Sequence, residues 1–517
     1  MMVCDEGKSV TCTPMSLMAA VALALATFAA ASAAAPPSSA NPEQLHLAVA
    51  AATATTSGMN VMWYTAAATP TSEVHFGTSP AALTRKATGA ARAPYMGSAA
   101  YGQHHSVDVL GLTPDALVYY RCGSGGNVSS VRSFRAPPDV AAGAKRSMGF
   151  ALFGDMGWLG SKERPMLITL DGLKRDWSAV PTRARLEALK GEFEFVWHLG
   201  DIGYIDDAFA HHPTEFGYET TYNGFMNWIQ NLSSTRPYHV SPGNHESECH
   251  SAVCQLDRAK YALKLNNFSA YNHRWRMPSA SSKGVQNMWY SFNYGLVHFV
   301  SINTETDFPT AEERTEGDSH NKDLPAGHFG AQGEYMAWLE ADLKQARSQA
   351  DLKGGRPWII AGGHRPIGDC GAGVQALFEK HGVVAYFAGH SHSYSRSAPT
   401  FSNGSDTGDL DGATVFDAAS AATTFIVAGG AGCDEMTYAK EGKADGQHDC
   451  DASGFCLRRN TNQHACVAGA AGCLESVVKS GRLASGVLTV HNTTTLEWKL
   501  YSSTDGGVID SLVMSQA

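Results

Sequence analysis

Gly200-Asp201-Ile202-Gly203-Tyr204 follows the apolar run Phe193–Leu199 and opens a loop. The same grammar recurs on both sides of it. Gly154-Asp155-Met156-Gly157 follows Phe150–Phe153, and Gly243-Asn244-His245-Glu246 follows Tyr238–Val240. Gly363-His364 follows Trp358–Ala361, and Gly389-His390-Ser391-His392 follows Val383–Phe387. Each apolar run has strand length, and helical patterns such as Glu334–Ala346 and Val374–Lys380 lie between several of them. Strands alternating with helices read as an α/β domain with a largely buried sheet. Polar groups at the carboxyl ends of its strands can converge although more than 200 residues separate them in sequence.

Together the motifs supply two carboxylates (Asp155, Asp201), a phenol (Tyr204), a carboxamide (Asn244) and three imidazoles (His364, His390, His392). That set suits two adjacent metal ions. A carboxylate such as Asp201 can bridge them. Carboxylate and phenolate oxygens favour a hard ion such as Fe3+, whereas a carboxamide and imidazoles suit Zn2+, Mn2+ or Fe2+. Two ions roughly 3.5–4 Å apart clamp a phosphoryl group and lower the pKa of bound water, which makes hydroxide available as a nucleophile. The net charge is −10. This disfavours a nucleic-acid partner and leaves the metal charge to draw in an anionic ester. His245, beside Asn244, is placed to hydrogen-bond a phosphoryl group or protonate a leaving alkoxide. Glu246 reads as the orienter of a neighbouring imidazole. Arg365 reads as a phosphate contact or a loop support. His198 reads as a core histidine, and Asp206-Asp207 and His211-His212 as solvated loop residues.

Outside this region the chain changes character. Gln44–Ala50, Met59–Tyr64, Glu73–Phe76, His105–Leu110, Val118–Cys122 and Val131–Phe134 are short, roughly alternating runs separated by turn residues. They predict a β-sandwich of fibronectin or immunoglobulin type over 41–137, with His104-His105 packed inside it. Pro137 to Ala144 is the linker, and 145–480 the catalytic domain. Gly486–Val490, Leu496–Tyr501 and Val508–Val513 read as strands that complete that domain over 484–515. Met15–Ala35 is an alanine-rich apolar run with Ala31-Ser32-Ala33 as a cleavage site, so 1–35 reads as a signal peptide. The run approaches membrane-spanning length, but its alanine content and Pro36-Pro37 favour cleavage. Asp5 and Glu6 make a poor basic region, and Met15 offers an alternative start.

The 517 residues and 44% hydrophobic content suit two or three folded domains. Nine of the eleven cysteines follow Ala35. Cys249 and Cys254 can close a small loop, and five more crowd the insertion 433–473 without zinc-type spacing. This usage, with sequons at Asn127, Asn231, Asn267, Asn403 and Asn492, indicates an oxidising, secretory route. The odd count leaves one thiol over, for which Cys122 is the choice.

The ordered motifs resemble the purple acid phosphatases, within the wider metallophosphoesterases. The resemblance covers about 41–515, and Tyr204 is its discriminating position. Asn287-Met288-Trp289-Tyr290-Ser291-Phe292 and Thr304-Glu305-Thr306-Asp307-Phe308 look most like the secreted fungal-type subgroup. The resemblance implies a four-layer β/α/α/β sandwich preceded by a fibronectin-like domain. It implies Fe3+ on Asp155, Tyr204 and His392, a divalent ion on Asn244, His364 and His390, and Asp201 as the bridge. Tyrosinate-to-iron charge transfer would give the purple colour. The implied activity is hydrolysis of small phosphate monoesters, with a phosphodiesterase, phytase or nucleotidase as the alternative. An inactive secreted binding glycoprotein is the remote alternative. The chain departs from the family twice. Tyr394-Ser395-Arg396 lacks the usual glutamate after His392, and Pro366–Cys370 lacks the second histidine of plant members.

Overall fold

The structure is a computed structural model. It describes residues 39–50, 56–168, 177–308, 324–350, 354–370, 372–401, 415–417, 422–434 and 476–516, with single positions at 311, 352 and 436. The run 1–35, Asn403, and the insertion's Cys450, Cys456, Cys466 and Cys473 lie outside the described residues.

Residues 43–135 form two facing antiparallel sheets. One runs Glu43–Ala50, Ser57–Thr65, Gln103–Leu112, Ala90–Arg92; the other is built around Glu73–Gly77 and Leu117–Ser124. Alternate residues point inward from each. Leu47, Val61, Trp63 and Val107 meet Val74, Phe76, Val118, Tyr120 and Phe134 in a separate core. His105 stacks on Trp63 at 4.8 Å between the hydroxyls of Thr65 and Ser72, the packing role expected of it. The short strands Arg85–Thr88, Ala90–Arg92 and Asn127–Val128 were not legible, because they are largely exposed and carry no apolar alternation.

Two seven-stranded mixed sheets follow. The first runs Tyr238–Val240, Val196–His198, Met148–Phe153, Ala484–Val490, Thr495–Ser502, Val508–Ser515, Val415–Asp417. The second runs Tyr290–Tyr294, Val297–Ser301, Trp358–Gly362, Ala385–Ala388, Thr424–Ala428, Tyr394–Ser397, Ser476–Ser480. Met148–Phe153 is buried throughout, as a central strand should be, whereas Thr495–Ser502 alternates strictly between buried and half-buried. The expected α/β sandwich forms, with one correction to its layer order. The sheets meet face to face: Phe150 and Trp197 pack on Phe299 at 4.9 and 5.8 Å, and Phe387 packs on Trp498 at 4.9 Å. Aromatic side chains on both inner faces fill that contact and leave no room for helices there. Helix Glu334–Ala350 instead packs on Trp358–Gly362 of the second sheet and Val180–Ala188 on Ala484–Val490 of the first, so the layers run α/β/β/α.

Helix Tyr218–Ser233 buries Tyr218, Thr221, Tyr222, Phe225, Met226, Ile229 and Leu232, the spacing of one helical face. It joins the N-terminal sandwich to the rest. Gln230 accepts from the Leu45 amide at 2.9 Å, and Ser233 donates to the Leu45 carbonyl at 2.9 Å. Arg274 is buried in the same seam, paired with Glu219 at 2.6 Å and Asn223 at 2.8 Å. Among the described residues no helix is long and apolar enough to cross a membrane.

His239 lies flat on Phe292, ring centroids 4.2 Å apart, and accepts from the Val49 amide. Burial alone lowers its pKa to about 3. As pH falls from 6.5 the unfolded chain takes up this proton first, so the stability His239 contributes above pH 6.5 is lost toward acid. His239→Gln should weaken the dependence of Tm on pH between 6.5 and 4.5, read by calorimetry; an unchanged slope contradicts this.

Candidate metal centre

The strands explain why the motifs meet. Met148–Phe153, Val196–His198 and Tyr238–Val240 are parallel neighbours in one sheet and end at Asp155, Asp201 and Asn244. Trp358–Gly362 and Ala385–Ala388 are parallel neighbours in the other sheet and end at His364, His390 and His392. A short parallel pairing of Met156–Gly157 with Ile202–Gly203 holds the first two motifs side by side. Each chain must turn sharply off its strand. Asp155, Asp201, Tyr204 and His390 accordingly have φ of 63°, 55°, 49° and 64°, in the left-handed region. The glycines supply clearance. A Cβ on Gly200 would stand 2.5 Å from Nδ1 of His364, and one on Gly243 would stand 2.3 Å from Oδ1 of Asp201.

All seven expected ligand residues come together. On one side, Tyr204 Oη lies 2.8 Å from His392 Nε2 and 3.3 Å from Asp155 Oδ1, and His392 Nε2 lies 3.3 Å from Asp155 Oδ1. On the other, Asn244 Oδ1 lies 3.1 Å from His364 Nε2 and 3.0 Å from His390 Nδ1. Asp201 Oδ2 belongs to both sides, 3.3 Å from Tyr204 Oη and 3.1 Å from His364 Nε2. Asp155/Asp201/His392 and Asp201/His364/His390 each bring their donor atoms within 4.8 Å of one another. The Nδ1–H of His364 is held by the Leu199 carbonyl at 2.8 Å, which turns the lone pair of Nε2 toward Asp201. This donor set fits two cations sharing Asp201, a harder one beside the phenol and a softer one beside the carboxamide.

His245 is buried with its ring against that of Tyr204, centroids 4.3 Å apart. Its amide donates to Asp201 Oδ1 at 3.1 Å, and its Nδ1 lies 2.7 Å from Asp206 Oδ2. Nε2 lies 3.9 Å from Asp201 Oδ2, at the shared edge of the two sides. Asp206 and Asp207 are 1% and 0% exposed. That corrects the expectation of a solvated loop: the two carboxylates turn inward because they take up imidazoles, Asp206 that of His245 and Asp207 that of His250 at 2.7 Å. His211 is also buried, against Asp434 at 3.4 Å, while His212 is exposed as expected. His198 sits in the core with Nδ1 3.0 Å from Tyr238 Oη.

Glu246 takes a different part from the expected one. It orients backbone, not an imidazole: its carboxylate accepts from the amides of Gly243 at 2.8 Å, Asp201 at 3.0 Å and Ile202 at 2.7 Å. Arg365 is forked onto Glu305 at 3.0–3.1 Å, and its Nη1 lies 3.1 Å from Nε2 of His390. Glu305, Glu248 and His250 are the residues that sequence reasoning missed. Glu248 accepts from Asn244 Nδ2 at 3.3 Å and is in close contact with Nε2 of His250. Burial would lower the pKa of His250, but Asp206, Asp207 and Glu248 override it and raise it to about 10. The available signal was position: Glu248 and His250 flank Cys249 directly after a ligand motif. Cys249 and Cys254 are bridged, as expected. Among the described residues Cys122 is unbridged, but so are Cys370 and Cys433, all three buried, and the Cys433 thiol neighbours His392 and Tyr204.

Residues 42–136 match the family described as purple acid phosphatase, N-terminal domain, and residues 148–394 match calcineurin-like phosphoesterase. An acid phosphatase of Aspergillus ficuum is 27% identical, covering 79% of this chain and 75% of its own. Acid phosphatase A of Cryphonectria parasitica is 29% identical, covering 73% and 79%. Acid phosphatase type 7 of Mus musculus is 30% identical, covering 76% and 78%. The solved structure of a purple acid phosphatase from yellow lupin seeds superposes with a TM-score of 0.64 at 18% identity over 92% of this chain and 74% of that one, a likeness of fold. Two domain families in the right order and a 30% identical relative aligned over three quarters of the sequence lead to one conclusion: this chain belongs to the purple acid phosphatase family.

Proposed function

We propose that this enzyme is a secreted acid phosphatase that hydrolyses small phosphate monoesters at a centre holding Fe3+ and one divalent ion (Zn2+, Mn2+ or Fe2+). The observation that carries this reading is the convergence of Asp155, Tyr204 and His392 with Asn244, His364 and His390 around a shared Asp201. The asymmetry between a phenol-bearing side and a carboxamide-bearing side supports two unlike metals. When bound, such a pair supplies the positive charge and Lewis acidity that activate water and offset charge on the phosphoryl group.

The protein's own groups do the rest. Asp206 takes the Nδ1–H of His245 and so leaves Nε2 toward the reaction side. Nε2 holds the proton that passes to the ester oxygen as the P–O bond breaks. Arg365, locked by Glu305, holds a guanidinium beside His390, where it can contact a phosphate oxygen. His245 is the proposed acid because Pro366–Cys370 offers no imidazole. For secretion, Asn127, Asn231, Asn267 and Asn492 are all exposed and open to glycan attachment, and the Cys249–Cys254 bridge suits an oxidising compartment.

Asp201→Ala or Asn244→Ala should abolish turnover of an aryl phosphate at pH 5; retained turnover sinks the site. Tyr204→Phe should bleach the visible absorption of the iron-loaded enzyme, and a colourless parent chain rules out the tyrosinate–iron pairing. His245→Ala should lower kcat by about 100- to 10,000-fold. The loss should be larger for an alkyl phosphate than for an aryl phosphate, whose leaving group needs no proton. Equal losses on both would remove His245 from the acid role.

A further inference from the structure

A carboxamide has two nearly isosteric ends, and only one of them is a metal ligand. If Asn244 turned over about its last bond, an NH2 group would face the cation. The two orientations differ by the hydrogen bonds that each end finds. In this structure Nδ2 is engaged by Glu248 Oε1 at 3.3 Å, and Oδ1 is thereby turned to His364 and His390.

Glu248 is itself held. Its other oxygen contacts Nε2 of His250, whose Nδ1 lies 2.7 Å from Asp207 Oδ1 and 3.5 Å from Asp206 Oδ2. Glu248 and Asp207 are 5% and 0% exposed, so water competes little for these bonds. Asp207 lies three residues past Tyr204, on the loop that serves the phenol side. Cys249, between Glu248 and His250, is bridged to Cys254, which closes the peptide between them into a small ring. A carboxylate, an imidazole and a second carboxylate thus run from one half of the centre to the other.

We propose that Glu248, His250 and Asp207 form a strap that fixes the Asn244 carboxamide with its oxygen toward the divalent ion, with Glu248 as the positioning residue. This rests on the two-metal reading above. Groups that hold metal ligands in place typically change metal affinity by about 10- to 100-fold when removed. The iron side, which does not include Asn244, should be unaffected.

The test uses the full chain loaded with iron and Zn2+, as parent, Glu248→Ala, Glu248→Gln and Asp207→Asn. Each is dialysed against graded chelator, and zinc content, visible absorption and Tm are read. Glu248→Ala should weaken zinc binding about 10- to 100-fold with the visible band intact. Glu248→Gln, whose oxygen can still accept from Nδ2, should lose less. Should Glu248→Ala not fold, Asp207→Asn carries the test and should weaken zinc binding in the same direction. Zinc held as tightly by Glu248→Ala as by the parent overturns the strap. So does Glu248→Gln falling as far as Glu248→Ala, or a third metal equivalent in the parent that Asp207→Asn removes, since these residues would then be ligands. A parent that takes up neither zinc nor a visible band fails the two-metal reading instead and is told apart by that.

Discussion

Three backbone amides converge on the Glu246 carboxylate, and the geometry of the centre depends on that convergence. Two of them belong to the turn that carries Asp201, and the third opens the turn that carries Asn244. A buried amide without a partner costs on the order of 1–3 kcal/mol, so one carboxylate settles the polar accounts of two loops at once. With these turns pinned, Asp201 can reach both halves of the centre and the His245 amide can close on Asp201 Oδ1. Asp201 is thus held by backbone on both sides.

The architecture makes the two halves chemically unlike. One sheet delivers acids and amides from Asp155, Asp201 and Asn244, and the other delivers only imidazoles from His364, His390 and His392. Because the sheets pack face to face, their strand ends open on a common edge, and the histidines are shared out between the halves. The phenol of Tyr204 falls on one side and the carboxamide of Asn244 on the other. A chain of net charge −10 can attract an anion only through such a local reversal of sign.

The convergence of the motifs was legible because each follows a buried strand, and buried strands write themselves as apolar runs. Arg365 was ambiguous until Glu305 was seen to fork onto it, since a guanidinium's task is set by its partner. The task of Glu246 was not legible at all: its partners are main-chain amides, which carry no letter in the sequence. Asp206 and Asp207 read as loop acids because their partners, His245 and His250, lie about 40 residues away. Helix Tyr218–Ser233 went unread because its buried face includes Tyr218, Thr221, Tyr222, Phe225 and Ile229, aromatic and β-branched residues that also suit strands. The layer order failed because periodicity tells which face of a strand is buried and not what covers it.

The left-handed turns at Asp155, Asp201, Tyr204 and His390 set the centre against its own scaffold. Each non-glycine residue held there costs on the order of 1 kcal/mol or more. Glycine at any of these points would relax the backbone while deleting a side chain of the centre. At Asp155 and Asp201 that relief is opposed, because their buried carboxylates accept from the amides of His390 at 2.9 Å and His245 at 3.1 Å, and an orphaned buried amide costs on the order of 1–3 kcal/mol. At these two positions strain and anchoring therefore sit in one residue, and the turn is kept left-handed by the same side chain that faces the centre.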